Sequence, residues 1–383
     1  MANKSLNFSM KKIKEGSAEI FIPKEGKISK KLPVFYNPIM QLNRDITILL
    51  LQQFPIVNLC DPLAASGIRA IRFAKELKYK SIIANDLSEK ATALIKKNIE
   101  HNKVKFVIKN EDANIMLLNS KGFDCIDIDP FGTSNSYLDS AVKRISRNGI
   151  LAVTNTDTAA LTGTYPKACI RKYWSVPKRD YMMHETGLRI LIRKIQLIGM
   201  QYDKALLPIF SYFKDHYFRI FFQCSKGKKL CDEIAEKHGM INDAGPLWVG
   251  NLWDSKLVSK MYSTMLKDYN KKVNTTYKLN NNKTMDNYEN KKIIKNNIIN
   301  NAQNNKGLLR FLKIIKEESK INVVGFFDIH DIVEKEKLKT IKKKETIIKK
   351  IKKRGFKATN THFSGTGIRS NISYDRLISL LKE

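Results

Sequence analysis

The sequence predicts an α/β protein whose amino-terminal part holds a mostly parallel, doubly wound sheet that ends in an antiparallel hairpin. Between residues 56 and 154, short apolar segments typical of buried strands alternate with amphipathic helical segments. This βαβ alternation favours a parallel sheet. A long amphipathic helix at 181–198 then precedes two apolar segments joined by a tight turn at Lys214-Asp215, which predict the hairpin. We expect a smaller α+β domain to follow.

The composition indicates a globular intracellular protein. With 383 residues, 43% of them hydrophobic, the chain is long enough for about two domains. It has no run of about 18 apolar residues and no apolar signal core, so we expect no membrane partner. Five scattered cysteines, an odd number, favour a reducing compartment. We expect a cytoplasmic protein that is a monomer.

The net charge of +32 predicts a polyanionic partner, most simply nucleic acid. The excess is mostly lysine, and asparagine and isoleucine are also abundant. Because all three have codons rich in A and T, genome composition is an alternative source of part of the charge. Lysine also binds phosphate without base specificity, so the charge alone names no substrate.

The elements before the alternating region are a hairpin, a turn and a helix. Residues 18–22 form a strand-like segment that Pro23 ends, and residues 34–38 predict a turn. Asn43 or Asp45 is a candidate cap for a helix that begins at Ile46.

Five parallel strands and their crossover helices follow. The predicted strands are 56–60, 81–85, 104–109, 124–128 and 149–154, and the predicted helices between them are 68–77, 87–102, 114–118 and 137–145.

The polar segment 226–243 places the domain boundary, which gives domains 1–226 and 227–383. Residues 271–305 are rich in asparagine and lysine and predict an insertion that is at least partly flexible. The lysine-rich segment 335–353 keeps four isoleucines and predicts a basic helix with one apolar stripe. Its basic face is either solvated or in contact with phosphates.

A small-residue turn and three acids indicate a ligand site at the carboxyl edge of the sheet. The turn from Asp61 to Gly67 follows the first strand and lets the backbone pass close to a ligand. Its single glycine excludes the dinucleotide fingerprint, and no phosphate loop follows. Asp86, Asp112 and Asp129 each follow a strand, where ligands of such sheets bind. Helix capping is the alternative role of these acids.

The tetrapeptide Asp129-Pro130-Phe131-Gly132 indicates chemistry on a planar exocyclic amine. The acid accepts hydrogen bonds from the amine, the proline fixes φ and leaves its carbonyl available, and the aromatic ring stacks on the base.

Motifs along most of the chain carry a resemblance to a known family. They include Glu15-Gly16, 34–40, 43–45, 65–69, 127–132, 139–141, 156–159, Tyr165-Pro166, 171–173, 184–189, 245–248, 361–364 and 366–369. On these motifs the chain resembles the tRNA (guanine-26-N2)-dimethyltransferases of archaea and eukaryotes. The first domain would then be a Rossmann-like methyltransferase domain, and the second a tRNA-binding domain.

The resemblance implies S-adenosyl-L-methionine as methyl donor and N2 of a tRNA guanine as acceptor. The donor-binding residues that it implies are Arg44, Arg69, Asp86, Asp112 and Ala113. The catalytic residues that it implies are Asp129, Pro130, Phe131 and Phe35. Phe35 and Phe131 would sandwich the guanine, and Asp129 would be the catalytic acid. Many members carry paired cysteines that bind zinc, but this chain has no C-x-x-C, so no metal is expected.

The resemblance also implies a mechanism by orientation and electrostatics. Asp129 and the Pro130 carbonyl would hold the amine hydrogens, and the base would leave its stack to reach them. Arg369 is expected to contact RNA, and Arg171 and Lys172 lie in a basic-aromatic cluster that either meets RNA or packs. Two other readings remain: an amino-methyltransferase for DNA adenine or another RNA guanine, and a non-catalytic RNA-binding protein on the same scaffold.

Overall fold

The computed structural model describes residues 6, 8–24, 32–281, 305–338 and 342–383. They form two compact units, Met1–Leu252 and Trp253–Glu383. Among the described residues, no helix combines the length and apolar character needed to cross a membrane.

The first unit begins with an antiparallel hairpin and continues into a seven-stranded sheet. The hairpin strands are β1 (Met10–Glu15) and β2 (Ala18–Pro23). The sheet strands are β3 (Asn58–Asp61), β4 (Ser81–Asn85), β5 (Val107–Lys109), β6 (Phe123–Ile128), β7 (Ile145–Asn155), β8 (Lys204–Lys214) and β9 (Tyr217–Lys226).

The strand order is β5-β4-β3-β6-β7-β9-β8. Strands β3 to β7 are parallel, whereas β9 is antiparallel to both β7 and β8. The doubly wound sheet with a terminal antiparallel hairpin is thus confirmed. Because the winding direction reverses between β3 and β6, a crevice opens beyond their carboxyl ends, where ligands of this fold class bind.

The helices of the first unit match most predicted segments. They are α1 (Gln41–Leu51), α2 (Ile68–Glu76), α3 (Glu89–Asn102), α4 (Ala113–Leu118), α5 (Asn135–Arg144), α6 (Thr158–Leu161), α7 (Pro166–Tyr173), α8 (Met183–Met200) and α9 (Lys228–Ala235).

The start of α1 differs from the prediction. A short 3-10 turn, Pro38–Met40, leads directly into α1, and the Asn37 side chain accepts a hydrogen bond from the Ile39 amide at 2.9 Å. The chain therefore turns helical before Asn43 is reached, so the prediction that Asn43 or Asp45 caps the helix was wrong. Asn43 is instead buried inside α1.

The first compact unit extends beyond the predicted boundary at residue 226. A second hairpin, β10 (His238–Ile241) and β11 (Ala244–Trp248), follows α9. The buried Arg189 of α8 donates hydrogen bonds to the carbonyls of Trp248 at 2.9 Å and Gly250 at 2.8 Å. These bonds tie the chain after residue 226 to α8.

The second unit is α+β. Its elements are α10 (Ser255–Asn281), α11 (305–318), β12 (Phe327–Asp328), α12 (Ile329–Lys335), α13 (Lys344–Lys353), β13 (Ala358–Asn360), β14 (Gly367–Ser370) and α14 (Tyr374–Lys382). The strands form an antiparallel sheet in the order β12-β14-β13.

Two predictions for this unit can be compared with the structure. The basic helix exists over part of the predicted segment 335–353, as α13, and three of its four isoleucines, Ile347, Ile348 and Ile351, are buried in the core of the unit. The fourth, Ile341, lies outside the described residues. The segment predicted as a partly flexible insertion begins as helix, because 271–281 continue α10, and 282–304 lie outside the described residues.

Arg369 does not have the RNA-contacting position that the sequence predicted. It is fully buried on β14, where its Nε donates to Glu318 at 3.1 Å and its Nη1 donates to the Gly325 carbonyl at 2.8 Å. The arginine therefore holds the core of the second unit together, and that prediction was wrong.

Candidate active site

A cleft of about 550 Å³ lies at the carboxyl ends of β3, β4 and β6. Its walls come from the turn after β3, the ends of β4 and β6, and the segment before α1. Seven of the nine predicted site residues line it: Phe35, Arg44, Arg69, Asp86, Asp129, Pro130 and Phe131.

Asp112 and Ala113 are the two that do not line this cleft. Asp112 precedes α4 and caps it, because its Oδ1 accepts hydrogen bonds from the amides of Asn114 at 2.8 Å and Ile115 at 3.1 Å. Asp112 therefore has the helix-capping role that was the alternative for this acid. A contact between Asp112 and the methyl donor stays a prediction.

Asp86 holds the turn that forms one wall of the cleft. Its Oδ2 accepts a hydrogen bond from the Ala65 amide at 2.8 Å, and its Oδ1 accepts one from Ser88 at 2.9 Å. The turn then enters α2 through Gly67, whose φ of +76° suits glycine. The acid after β4 therefore shapes the small-residue turn as well as facing the cleft.

Asp61 adds a carboxylate with an unsatisfied oxygen to the cleft wall. The residue is 1% exposed, and its Oδ2 has no hydrogen-bond partner among the described residues. Burial raises the pKa of Asp61 to about 7. Arg69 opposes this rise, whereas the negative charges of Asp127 and Asp129 add to it. A buried acceptor of this kind fits a ligand that brings its own hydrogen-bond donor.

Arg69 connects the cleft to the buried centre of the sheet. Its guanidinium forms an ion pair with Asp129, and its Nη1 donates to Asp127 Oδ2 at 2.9 Å. It also donates to Asn43 Oδ1 at 3.1 Å and Thr47 Oγ1 at 3.3 Å. The Asp129 side chain remains 19% exposed at the cleft. Arg69 therefore holds Asp129 at the cleft surface from the buried side of the site.

Arg219 is a charged residue that the sequence reasoning missed. It lies on β9 and donates two hydrogen bonds to Asp127, at 2.9 and 2.6 Å, and further ones to Thr154 and Thr47, both at 2.9 Å. Burial alone would raise the pKa of Asp127, but Arg219 and Arg69 lower it. The available signal was an arginine within an apolar strand, since a buried charge requires a partner.

Arg44 lies in the cleft wall, but Glu15 of β1 holds its guanidinium. Nε and Nη2 each donate to a Glu15 oxygen at 2.6 Å. Although burial would raise the pKa of Glu15, Arg44 and Arg72 lower it to about 2. The Tyr36 hydroxyl donates to the same carboxylate at 3.0 Å. This buried ion pair therefore fixes the segment that carries Phe35.

Phe35 and Phe131 touch each other across the cleft mouth. Their ring centroids are 4.1 Å apart and the rings are inclined at 75°, an edge-to-face contact. A base between two rings needs about 7 Å, twice a stacking distance of roughly 3.5 Å. The predicted sandwich therefore requires the rings to separate. Phe131 is 46% exposed and stands at the solvent side of the cleft.

Within the described part of the chain, no group of three or more histidine, cysteine, aspartate or glutamate side chains is arranged to hold a metal ion. All five cysteines are buried and free of disulfides.

The chain matches a known family over almost its whole length. Residues 16–382 match the family model described as N2,N2-dimethylguanosine tRNA methyltransferase. A tRNA (guanine(26)-N(2))-dimethyltransferase from Pyrococcus horikoshii is 36% identical, over 98% of this chain and 99% of that protein. A tRNA (guanine(26)-N(2)/guanine(27)-N(2))-dimethyltransferase from Aquifex aeolicus is 34% identical, over 98% of this chain and 96% of that protein.

A solved structure extends the likeness to three dimensions. It is Trm1 from Pyrococcus horikoshii in complex with S-adenosyl-L-methionine, and it is 34% identical to this chain. The match has a TM-score of 0.81 and covers 97% of this chain and all of that one.

Proposed function

The chain belongs to the N2,N2-dimethylguanosine tRNA methyltransferase family, and we propose that it methylates guanine 26 of tRNA in the cleft at the carboxyl edge of its sheet. It is an S-adenosylmethionine-dependent enzyme that acts on the exocyclic N2 of guanine in tRNA. The choice of position 26, the transfer of one or two methyl groups and the roles of individual residues are our proposal.

The observation that carries the proposal is the placement of Asp129. It follows β6 directly, lines the cleft beside Pro130 and Phe131, and keeps part of its carboxylate accessible. Asp127, two residues earlier, is fully buried between Arg69 and Arg219. Of the two acids at the carboxyl end of β6, Asp129 is therefore the one that can meet a substrate.

The residues of the cleft fit the methyl donor. S-adenosylmethionine, when bound, supplies a methyl group on a positively charged sulfur. Three carboxyl groups in the cleft wall, those of Asp61, Asp86 and Asp129, offer acceptors for its amino and hydroxyl donors. The donor-binding set we propose is Arg44, Arg69, Asp86, Asp112 and Ala113.

Both arginines of this set already form ion pairs with carboxylates of the protein, and this limits the roles that they can have in the cleft. Arg44 is bound to Glu15 and Arg69 to Asp127 and Asp129. We propose that both arginines contribute to donor binding by holding the cleft walls in place. Asp86 shapes the Ala65 turn and presents its carboxylate to the same space.

In the reaction, Asp129 and the Pro130 carbonyl accept hydrogen bonds from the two hydrogens of the guanine amine. This directs the nitrogen lone pair away from the ring system and towards the donor. The carboxylate stabilises the positive charge that develops on nitrogen and accepts the proton that it loses. Arg69 keeps Asp129 in this orientation. Phe35 and Phe131 separate and stack on the flipped base, which offsets part of the cost of leaving the helix.

The proposal also covers a second tRNA contact, the oligomeric state and the location in the cell. We assign tRNA binding to the carboxyl-terminal part of the chain as well, where α13 carries five lysines on a ten-residue helix with a buried isoleucine stripe. A monomer acting in the cytoplasm remains our expectation. The buried, unpaired thiols are compatible with a reducing compartment.

Incubation of the protein with labelled donor and unmodified tRNA transcripts tests the proposed function. A transcript with guanine 26 should yield N2-methylguanosine and N2,N2-dimethylguanosine at that position, and one with adenine 26 should yield neither there. A transcript with guanine 27 replaced is the matched control and should still be modified at 26. Absence of N2-methylated guanine from all transcripts, or modification confined to position 27, would contradict the proposal.

A further inference from the structure

One face of α7 is exposed and combines basic with apolar side chains. Lys167, Ile170 and Arg171 share a side of the helix because the second and third lie three and four residues after the first, and Trp174 directly follows the helix as its cap residue. All four are exposed, whereas Cys169 and Tyr173 on the other side are fully buried. We call the four residues the α7 face.

Trp174 is exposed, yet both its ring and its backbone have defined partners. The Nζ of Lys194 lies 2.9 Å from the centre of the indole ring, and Arg193 donates a hydrogen bond to the Trp174 carbonyl at 3.2 Å. The backbone of Trp174 has a φ of +57°, which is strained for a bulky residue and requires support from its surroundings. Yet 50% of the residue is exposed, as is 47% of Ile170. The fold thus positions a large aromatic ring at the surface.

The end of α7 lies against the loop that follows the catalytic motif. The Tyr173 hydroxyl donates to Asp157 Oδ2 at 3.0 Å and lies within hydrogen-bond distance of Thr133 Oγ1, at 3.2 Å. The Asn135 side chain donates to the Lys172 carbonyl at 3.0 Å. Thr133 is two residues beyond Phe131. The carboxyl end of α7, next to the α7 face, is therefore bonded to the same loop that brings Phe131 to the cleft.

The charge around this face suits a polyanion. Residues 165–181 contain five basic residues and one acidic residue. A basic surface with an exposed aromatic ring matches nucleic acid, in which bases stack on rings and phosphates meet cations. Protein interfaces, in contrast, are depleted in lysine.

We propose that the α7 face binds the tRNA strand next to the target guanine, with an unstacked neighbouring base on Trp174 and phosphates on Lys167 and Arg171. This inference rests on the proposed function, because it places the target base in the cleft. The base that leaves its stack to enter the cleft exposes its neighbours, and stacking on Trp174 would hold the opened strand.

Binding of unmodified tRNA, measured at several salt concentrations with the full-length protein, tests the inference. Trp174→Ala should weaken binding about 5- to 150-fold, the equivalent of the roughly 1–3 kcal/mol that stacking of a base is worth. Trp174→Phe should restore part of the affinity. Lys167→Ala/Arg171→Ala should lower the slope of log K against log salt by about 1.5, since each phosphate contact contributes roughly 0.7–0.9.

The matched control is Lys75→Ala/Lys78→Ala, which removes the same charge. These lysines are exposed at the end of α2, where the chain has returned to the amino edge of the sheet before β4. This variant should keep the wild-type salt slope. Binding of S-adenosylmethionine should be unchanged in every variant, which verifies folding of Trp174→Ala.

The inference would be overturned if Trp174→Ala and Lys167→Ala/Arg171→Ala had the tRNA affinity and the salt slope of the wild type. The α7 face would then be a candidate surface for a protein partner. The proposed function has a separate outcome. If the wild type binds tRNA through this face but forms no N2-methylated guanine, the proposed function falls, and of the inference the tRNA contact of the face stands while its place beside the target guanine falls.

Discussion

Replacing Asp129 by alanine is expected to slow methyl transfer to tRNA by about 10²–10³-fold, the loss that follows removal of one oriented group that stabilises developing charge. The carboxylate is the accessible acid at the end of β6. Without it, the Pro130 carbonyl alone holds the amine, and the carboxylate that accepts the amine proton is lost. The measurement is the single-turnover rate with saturating donor and tRNA.

The fold should tolerate this change, because Arg69 keeps Asp127, Asn43 and Thr47 as partners when Asp129 is removed. Affinity for S-adenosylmethionine, measured by titration calorimetry, should therefore stay within a few fold of the wild type. Asp232→Ala, which removes an exposed acid on α9, is the control and should be fully active. A single-turnover rate for Asp129→Ala close to that of the wild type would exclude the catalytic role.

Replacing Arg219 by methionine is expected to lower the free energy of unfolding by about 3–5 kcal/mol, the cost of leaving one partner of a buried ion pair without the other. Arg219 and Asp127 are both fully buried, and two hydrogen bonds join them. Arg69 would then be left to form ion pairs with both Asp127 and Asp129. Urea unfolding followed by circular dichroism measures the change.

Arg147→Met is the matched control, because Arg147 is exposed on β7 of the same sheet. Its unfolding midpoint should stay near that of the wild type. We also expect Arg219→Met to lower the methylation rate under conditions where it is folded, because Arg69 loses a defined position behind Asp129. Equal unfolding midpoints for the two variants would show that the buried pair does not stabilise the sheet.

Hydrophobic patterning was sufficient to predict the sheet. Apolar strands buried on both faces leave a strong local signal, and β4 begins and ends at the predicted residues. The acids at strand ends were predictable for the same reason, since topology alone brings the carboxyl ends of parallel strands to one edge. Of the three acids predicted there, Asp86 and Asp129 line the cleft, whereas Asp112 caps α4 and does not line it.

Contacts between distant residues were not predictable from local pattern. The Arg219–Asp127 pair joins positions 92 residues apart, and Glu15 reaches Arg44 from a separate hairpin. Neither spacing leaves a trace in the sequence. Asn37 was not among the predicted cap residues, because the predicted helix began at Ile46, whereas the helical chain begins with the 3-10 turn at Pro38.

Burial of charge also lies beyond local pattern. Arg369 stands in a loop-like motif next to Gly367, yet it is fully buried with Glu318. A solvent-exposed arginine and a buried, paired one have the same local sequence features, and tertiary packing decides between them.

The most direct test of the account is a crystal structure of the protein with S-adenosylhomocysteine, the product of the donor. We expect the ligand in the cleft at the carboxyl edge of β3, β4 and β6, in contact with Asp86 and with its sulfur on the side of Asp129. A ligand bound elsewhere on the chain, or an Asp129 carboxylate screened from it by other side chains, would contradict the account.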